Sequence, residues 1–427
     1  MKLLVIGSGG RESALIWKIL QSNNVEKIFF APGNGFQNEK TQNVQIKAEE
    51  TESLLKFARD EKIDFSVVGS EIPLSLGIVD LFEKNGLKIY GPKKEPAKLE
   101  SSKSFTKRFC LKYSIPQARF ATFEEYEKAI DYLKSKEVSF PIVLKADGLA
   151  AGKGVLISRD FKEAQEGVKR ILLQKEFGYS GEKVVIEEFL EGEECSIMAV
   201  CDGEKSVLLP TARDYKRSLD NDKGENTGGM GGLSPSPIVK EGSDFVSSIK
   251  DKIVDRALSG MQEEGHPFKG TLYAGLMLTE NGPKLLEFNV RFGDPETQVI
   301  LPRLEENLLE ILVQVSEGNL KFKNFKTSLN RCLTVVATSK GYPASYEKGM
   351  EISGIKEAEE SKAIVFHAGT TLKEGKLITN GGRVLNVTAV GEDFNKCREK
   401  AYRALSFIKF NGITYRNDIG LKIVERV

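Results

Sequence analysis

Histidine is almost absent from this chain: only His266 and His367 occur in 427 residues, so a histidine-based zinc site is not expected. Cysteine is scarce and scattered. Cys110, Cys195, Cys201, Cys332 and Cys397 form no C-x-x-C pair and read as reduced thiols of a cytoplasmic protein. No apolar run approaches the roughly 18 residues that a membrane-spanning helix needs. Met1–Ile6 meets glycines at once and is too short for a signal peptide, so none is expected. Net charge is missing too. With 62 Lys and Arg against 61 Asp and Glu, bulk charge does not point to a nucleic-acid or membrane partner, although a local basic site stays open. Repeats and low-complexity tracts are also lacking.

What the chain has is length and glycine-punctuated strands. At 427 residues it is too long for one core, so about two to four domains are expected. Leu3–Ile6 is a short apolar run ending in Gly7-Ser8-Gly9-Gly10-Arg11-Glu12, and a helical pattern follows with Ala14, Leu15, Ile19 and Leu20 on one side. Residues 28–31 precede Pro32-Gly33-Asn34-Gly35, and residues 65–68 precede Gly69-Ser70-Glu71. This alternation predicts a parallel sheet covered on both faces. The first turn is not a dinucleotide fingerprint. Glu12 stands where the third glycine belongs, and Ala31-Pro32-Gly33 replaces the acidic ribose ligand. Free N–H groups at a helix amino terminus still favour an anion, so the turn reads as a site for a phosphate-bearing substrate or as a tight packing turn.

Three further loops carry charge. A strand at residues 140–145 ends in Lys145 and leads into Ala146-Asp147-Gly148-Leu149-Ala150-Ala151-Gly152-Lys153-Gly154, which lacks Walker A spacing. Two ammonium groups there suit phosphates, although a plain β-hairpin would also use the glycines. Residues 184–194 run from an apolar strand into Glu187-Glu188-Phe189-Leu190-Glu191-Gly192-Glu193-Glu194, which offers either adenine and ribose contacts or a solvated acidic turn. Arg213-Asp214-Tyr215-Lys216-Arg217 and Asn226–Gly232 are too polar and glycine-rich for a core, so they should lie on the surface or line a site.

The central stretch is Lys284–Glu296. As a strand, residues 285–290 would turn Leu286, Phe288 and Val290 toward a core and place Glu287, Asn289 and Arg291 on the other face. Two hard oxygen ligands side by side suit Mg²⁺, and an Arg beside them suits a carboxylate or a phosphoryl group. A half-buried strand with a solvated face would look the same. Residues 272–278 form an apolar strand without an acid, and Asn281-Gly282 turns it back into this stretch. From about Thr327 the chain reads as a small α+β domain.

Taken in order, these segments resemble the phosphoribosylamine–glycine ligase family of the ATP-grasp superfamily along essentially the whole chain. The carrying motifs are Gly7–Glu12, Pro32-Gly33-Asn34-Gly35, Gly91-Pro92 with Ser102-Lys103, Leu144–Gly148, residues 187–194, Asp214–Arg217 and Asn226–Gly231. Glu287–Glu296, Gly341-Tyr342-Pro343 and Gly381-Gly382-Arg383 complete the series. The resemblance implies a doubly wound, substrate-binding domain at residues 1–102, an ATP-grasp domain at 103–326 with a lid near 123–190, and a small α+β domain at 327–427. It implies ATP and Mg²⁺ or Mn²⁺ as cofactors. Lys103, Lys145, Gly152 and Lys153 would lie near the phosphates. Glu187, Glu188, Phe189, Leu190 and Glu194 would lie near adenine and ribose, and Glu287 and Asn289 on the metal. Arg291, Lys145 and Asp214 would serve catalysis. Gly9, Gly10, Arg11, Glu12, Gly33, Asn34, Asp214, Lys216, Arg217, Arg291, Gly293 and Asp294 would bind substrate.

The implied reaction joins glycine to 5-phosphoribosylamine at the expense of ATP, through an acyl phosphate, as an early step of purine synthesis. The expected partners are these small molecules, with no nucleic acid and no membrane, and a cytoplasmic monomer is expected. Tyr215, Ser8, Ser13 and Ser70 depart from residues common in the family. Two rivals are another ATP-grasp ligase or carboxylase acting on ribonucleotides, and a non-catalytic nucleotide-binding protein. The second would be expected to lack Glu287, Asn289 or Lys145, and all three are present.

Overall fold

The computed structural model describes residues 1–149, 154–421 and 423. Strands β1 (Lys2–Gly7), β2 (Lys27–Pro32), β3 (Thr41–Asn43), β4 (Phe65–Val68) and β5 (Ile89–Tyr90) form a parallel sheet in the order β3-β2-β1-β4-β5. Leu3, Leu4, Val5 and Ile6 are wholly buried because both faces of the sheet are covered. Helix α1 (Gly10–Ile19) starts directly after β1, at the carboxyl edge where such sheets bind ligands.

A separate antiparallel sheet follows, ordered β6-β9-β7-β8: β6 (Phe120–Phe123), β7 (Ile142–Ala146), β8 (Val155–Ser158) and β9 (Val184–Glu188). Helices Tyr126–Leu133 and Phe161–Leu172 pack on it around a core of its own that includes Leu144, Ile186, Val168 and Ile171. The stretch near residues 123–190, where the resemblance implies a lid, lies in this module. β7 and β8 pair as a hairpin, Lys145 opposite Val155. Gly152 and Lys153, expected near the phosphates, fall outside the described residues. Asp147 accepts from the Ser104 N–H at 3.0 Å and from Ser102 Oγ at 3.1 Å, a carboxylate at a helix amino terminus.

The central body is built on β10 (Glu193–Asp202), β11 (Ser206–Leu208), β12 (Arg213–Asp214), β13 (Arg217–Leu219), β14 (Lys223–Asn226), β15 (Gly231–Ser234), β16 (Lys269–Thr279) and β17 (Gly282–Asn289). Its main sheet runs β11-β10-β16-β17. The last pairing corrects one expectation. Gly275 lies opposite Glu287 but Leu276 lies opposite Leu285, so Leu286 is an extra residue that breaks the alternation. Leu285 therefore enters the core at 2% exposure, and Leu286 lines a cleft instead of sharing the buried face of Phe288 and Val290.

The last part contains β18 (Arg331–Ser339), β19 (Ile364–His367), β20 (Thr370–Lys373), β21 (Lys376–Thr379) and β22 (Arg383–Gly391), with helix Phe394–Leu405 packed on β18 and β22. Its sheet does not stop at the sequence boundary. The order β12-β15-β18-β22-β19 takes two strands from the central body. Main-chain pairing such as Leu233 with Leu333 thus welds the small domain to the loops holding Asp214 and Gly228. No helix among the described residues is long and apolar enough to cross a membrane, and all five cysteines are buried and free.

Candidate active site

A cleft of about 490 Å³ lies between the lid and the central sheet, with β17 in its wall. Glu287 and Asn289 reach it from adjacent same-face positions of β17. Neither side chain makes a hydrogen bond or ion pair with another described residue, although both are largely buried. Burial alone would push the Glu287 carboxyl up. Lys216, Lys103, Lys145 and Arg291 around it reverse that and hold it below the usual carboxylate range. A carboxylate and an amide oxygen side by side, largely buried and without a protein partner, suit a hard divalent cation when nucleotide and water supply the remaining ligands. The residues present therefore fit a metal; on β16, which carries no acid at residues 272–278, Tyr273 lines the cleft.

Lysines form the opposite wall. Lys145 Nζ lies 3.0 Å from Glu187 Oε1 and donates to the Leu286 carbonyl at 2.9 Å, so the irregularity in β17 supplies an acceptor for the lid lysine. The other Glu187 oxygen pairs with Lys107 Nζ at 2.8 Å. Glu187, expected near the nucleotide, is thus a carboxylate shared by two lysines at the cleft wall. Lys103 Nζ donates to the Gly148 carbonyl at 2.9 Å, and burial pulls its pKa down. Glu188 points elsewhere, held by Arg119 at 2.7 Å and Lys284 at 3.1 Å. These bonds outweigh burial and bring its carboxyl to about 2. Phe189 and Leu190 follow at the join between lid and body, and their backbone groups bond no other described residue. Glu194 pairs with Lys216 at 2.7 Å.

Asp214 and Lys216 line the cleft beside Glu296. Burial, with help from Glu296 and Glu194 and against Lys216, pushes the Asp214 carboxyl up to about 7. Arg217 lies on the neighbouring hairpin, donating to the Gly224 carbonyl at 2.9 Å, outside the cleft lining. Arg291 is clamped by Glu100 at 2.9 Å and Glu71 at 3.3 Å, and Glu71 also holds Arg11 at 3.2 Å.

The amino-terminal turn is more self-contained than the sequence suggested. Glu12 accepts from the Gly9 N–H at 2.6 Å and pairs with Arg11 Nε at 2.8 Å. A Cβ at Gly7 or Gly69 would fall within 2.6 Å of Glu12, so those glycines make room for its side chain. Asp294 accepts from the Arg11 N–H at 3.3 Å and pairs with Arg383 at 3.2 Å. Two of the protein's own carboxylates thus occupy N–H groups at the start of α1. The Asn34 amide donates to Ser8 O, Ser13 Oγ and His367 O at 2.9–3.0 Å and so ties α1 to the last domain. Gly33 adopts φ +77 with Asn43 packed against it. Gly10 abuts Asn386 and Gln298, and Gly293 abuts Glu296.

Sequence reasoning passed over Lys107, Glu100, Tyr273, Glu296, Tyr342 and Arg383, which all line the cleft. Glu296, Tyr342 and Arg383 lay inside motifs already singled out. Lys107 and Glu100 sit in short helices among other Lys and Glu residues, with no local signal.

Lid, sheet, lysines and unpartnered oxygen pair define an ATP-grasp protein. Comparison makes this particular. The phosphoribosylglycinamide synthetase models match in series, the N domain at residues 1–100, the ATP-grasp (A) domain at 101–297 and the C domain at 332–422. The chain belongs to the phosphoribosylglycinamide synthetase family. It is 48% identical to the phosphoribosylamine–glycine ligase of Caldanaerobacter subterraneus subsp. tengcongensis, over 98% of this chain and 99% of that one. The human trifunctional purine biosynthetic protein adenosine-3 is 46% identical over 99% of this chain, which spans 42% of that protein. Among solved structures, phosphoribosylamine–glycine ligase from Thermotoga maritima superposes with a TM-score of 0.87 at 38% identity, covering 98% of this chain and all of that one. The biotin carboxylase domain of Hydrogenobacter thermophilus 2-oxoglutarate carboxylase, solved with MgADP, shares the fold at TM-score 0.73 and 14% identity.

Proposed function

We propose that this protein is an ADP-forming ligase that joins glycine to 5-phosphoribosylamine, giving glycinamide ribonucleotide and phosphate. One observation carries the reading of the site: Glu287 and Asn289 face the cleft unpartnered, ringed by Lys103, Lys145, Lys216 and Arg291. A divalent cation held there, Mg²⁺ or Mn²⁺, would offset charge on the nucleotide phosphates. Lys103 and Lys145 hold the phosphates from the lid side, and Arg291, fixed by Glu100 and Glu71, faces the transferring group. The join at Phe189 and Leu190 offers adenine free backbone donors and acceptors. Asp214 and Glu296 present negative charge to the glycine ammonium, leaving its carboxylate turned toward the γ-phosphate. The protein's main contribution is alignment and exclusion of water under the lid. Five buried free cysteines suit the cytoplasm, and each of these roles can be filled within one chain.

The direct test is ADP release requiring both glycine and phosphoribosylamine. With glycine ¹⁸O-labelled in its carboxylate, one label is expected in the released phosphate. Unlabelled phosphate from a productive reaction would exclude the acyl-phosphate route.

A pH prediction follows from Asp214. Its carboxyl titrates near 7, so below that pH it holds a proton and no longer offers charge to glycine. The kcat/KM for glycine should rise with pH through about 7, and Asp214→Asn should flatten that limb. Glu100, pushed to about 7 by burial, titrates in the same range, so the variant is needed to assign the limb. A limb unchanged in Asp214→Asn would remove Asp214 from this role.

A further inference from the structure

The segment Tyr415–Gly420 lies outside the cleft lining, on the far side of the loop that carries Asp214 and Lys216. Its centre is Arg416, an arginine only 1% exposed. A guanidinium stripped of water must be paired on every side, and this one is. Its Nη1 lies 2.7 Å from Asp222 Oδ1 and donates to the Arg217 carbonyl at 3.1 Å. Its Nε and Nη2 hold the two Asp418 oxygens at 2.8 and 2.7 Å, a two-point contact. The guanidinium also stands over the Tyr215 ring, 5.0 Å from its centre. Tyr215 and Arg217 flank Lys216 in the chain, so one buried cation grips the residue on each side of a cleft lysine.

The segment is itself fixed. Arg398 and Tyr402 sit four residues apart, on one face of helix Phe394–Leu405. Arg398 donates to the Asn417 and Ile419 carbonyls, both at 2.6 Å, and Tyr402 Oη donates to the Arg416 carbonyl at 2.6 Å. From this platform the segment reaches the hairpin β13–β14. The Asn417 N–H donates to Asp220 Oδ1 and the Asn221 N–H to Asp418 Oδ2, each at 2.8 Å. The hairpin needs such support. Lys223, Gly224 and Glu225 are exposed, the register slips between Arg217 and Leu219, and Asn221 and Asp222 take left-handed φ of +58 and +52. Residues in that region persist where their surroundings hold them, and here the holding groups come from the last domain.

We propose that Arg416 is a positioning residue for glycine: through Tyr215 and the Arg217 carbonyl it sets where Asp214 and Lys216 stand in the cleft. This rests on the ligase reading given above, in which Asp214 meets the glycine ammonium. Successive side chains of an extended chain point to opposite sides, and β12 runs through Asp214 into Tyr215. Asp214 and Lys216 line the cleft, whereas Tyr215 packs on the core of the last domain and accepts from the Gly420 N–H at 3.2 Å. A shift of the Tyr215 ring therefore moves both cleft side chains together. The phosphate wall does not feel this lever, because Lys103 and Lys145 stand on helix Lys103–Lys112 and on β7.

Glycine dependence of the complete reaction, at saturating ATP and phosphoribosylamine, tests the assignment. Arg416→Met should raise the KM for glycine about tenfold or more, and Arg416→Lys, which keeps the charge but not the fork, should recover part of that. Two milder variants guard against loss of the fold. The Asp222 side chain is 60% exposed, so Asp222→Asn should fold normally, and Tyr215→Phe removes only the oxygen that faces Gly420. Each should raise the KM for glycine about threefold or more while the KM for ATP stays within about twofold of wild type. A purely structural role gives another pattern, because a smaller folded fraction lowers kcat and leaves every KM alone. An unchanged KM for glycine in both Asp222→Asn and Tyr215→Phe would overturn the proposal, as would a parallel rise in the KM for ATP. Wild-type protein whose ADP release ignores glycine would instead overturn the ligase reading.

Discussion

Glu287→Gln and Asn289→Leu are each expected to lower turnover about a hundredfold or more while the protein stays folded. The reason lies in what these side chains do not touch. A buried carboxylate normally finds a partner, because an unpaired charge in a low-dielectric site is costly. The charges that act most strongly on Glu287 are cations at longer range, and Asn289 beside it is equally unclaimed among the described residues. No hydrogen bond is lost in either variant, so backbone circular dichroism should be unchanged. Nucleotide binding measured without added metal should persist through the lysines, whereas the tightening produced by Mg²⁺ should disappear. Activity near wild type at saturating Mg²⁺ in both variants would sink the metal assignment.

The sequence exposed this pair because a strand's two-residue period puts 287 and 289 on one face whatever surrounds them. It could not expose the irregularity at Leu286, which depends on how β16 pairs with β17. The doubly wound start was legible for the same local reason: apolar runs, glycine turns and helical spacing all recur within a few residues. Roles at the amino-terminal turn were harder to read. Asn34 looked available to a ligand, yet its amide is spent on Ser8, Ser13 and His367, and one of those partners is 333 positions away. Glu12 looked like a missing glycine and is instead the group around which Gly7 and Gly69 are small. The start expected near residue 327 followed the order of strands and turns along the chain, and only main-chain pairing shows that the last sheet also takes in β12 and β15.

Glu187→Gln should be the most destabilising isosteric change in the cleft, by roughly 3–5 kcal/mol, because it strips the shared counter-charge from two buried lysines. Glu187, Lys107 and Lys145 are 3%, 3% and 6% exposed, so water screens little of the interaction. Gln matches Glu in size, so lost packing cannot explain a fall in stability. Lys107, already pulled down by burial, would be left without the carboxylate that opposes that pull. Two results in urea denaturation would follow from this account. Adding Lys107→Met to Glu187→Gln should recover part of the loss, since one ammonium then remains and Lys145 keeps its bond to the Leu286 carbonyl. Saturating ATP should also stabilise Glu187→Gln more than wild type, because phosphates at that wall replace the missing negative charge. A loss below about 1 kcal/mol, with no recovery on removing Lys107, would mean that Glu187 does not hold the lysines together and serves the nucleotide instead.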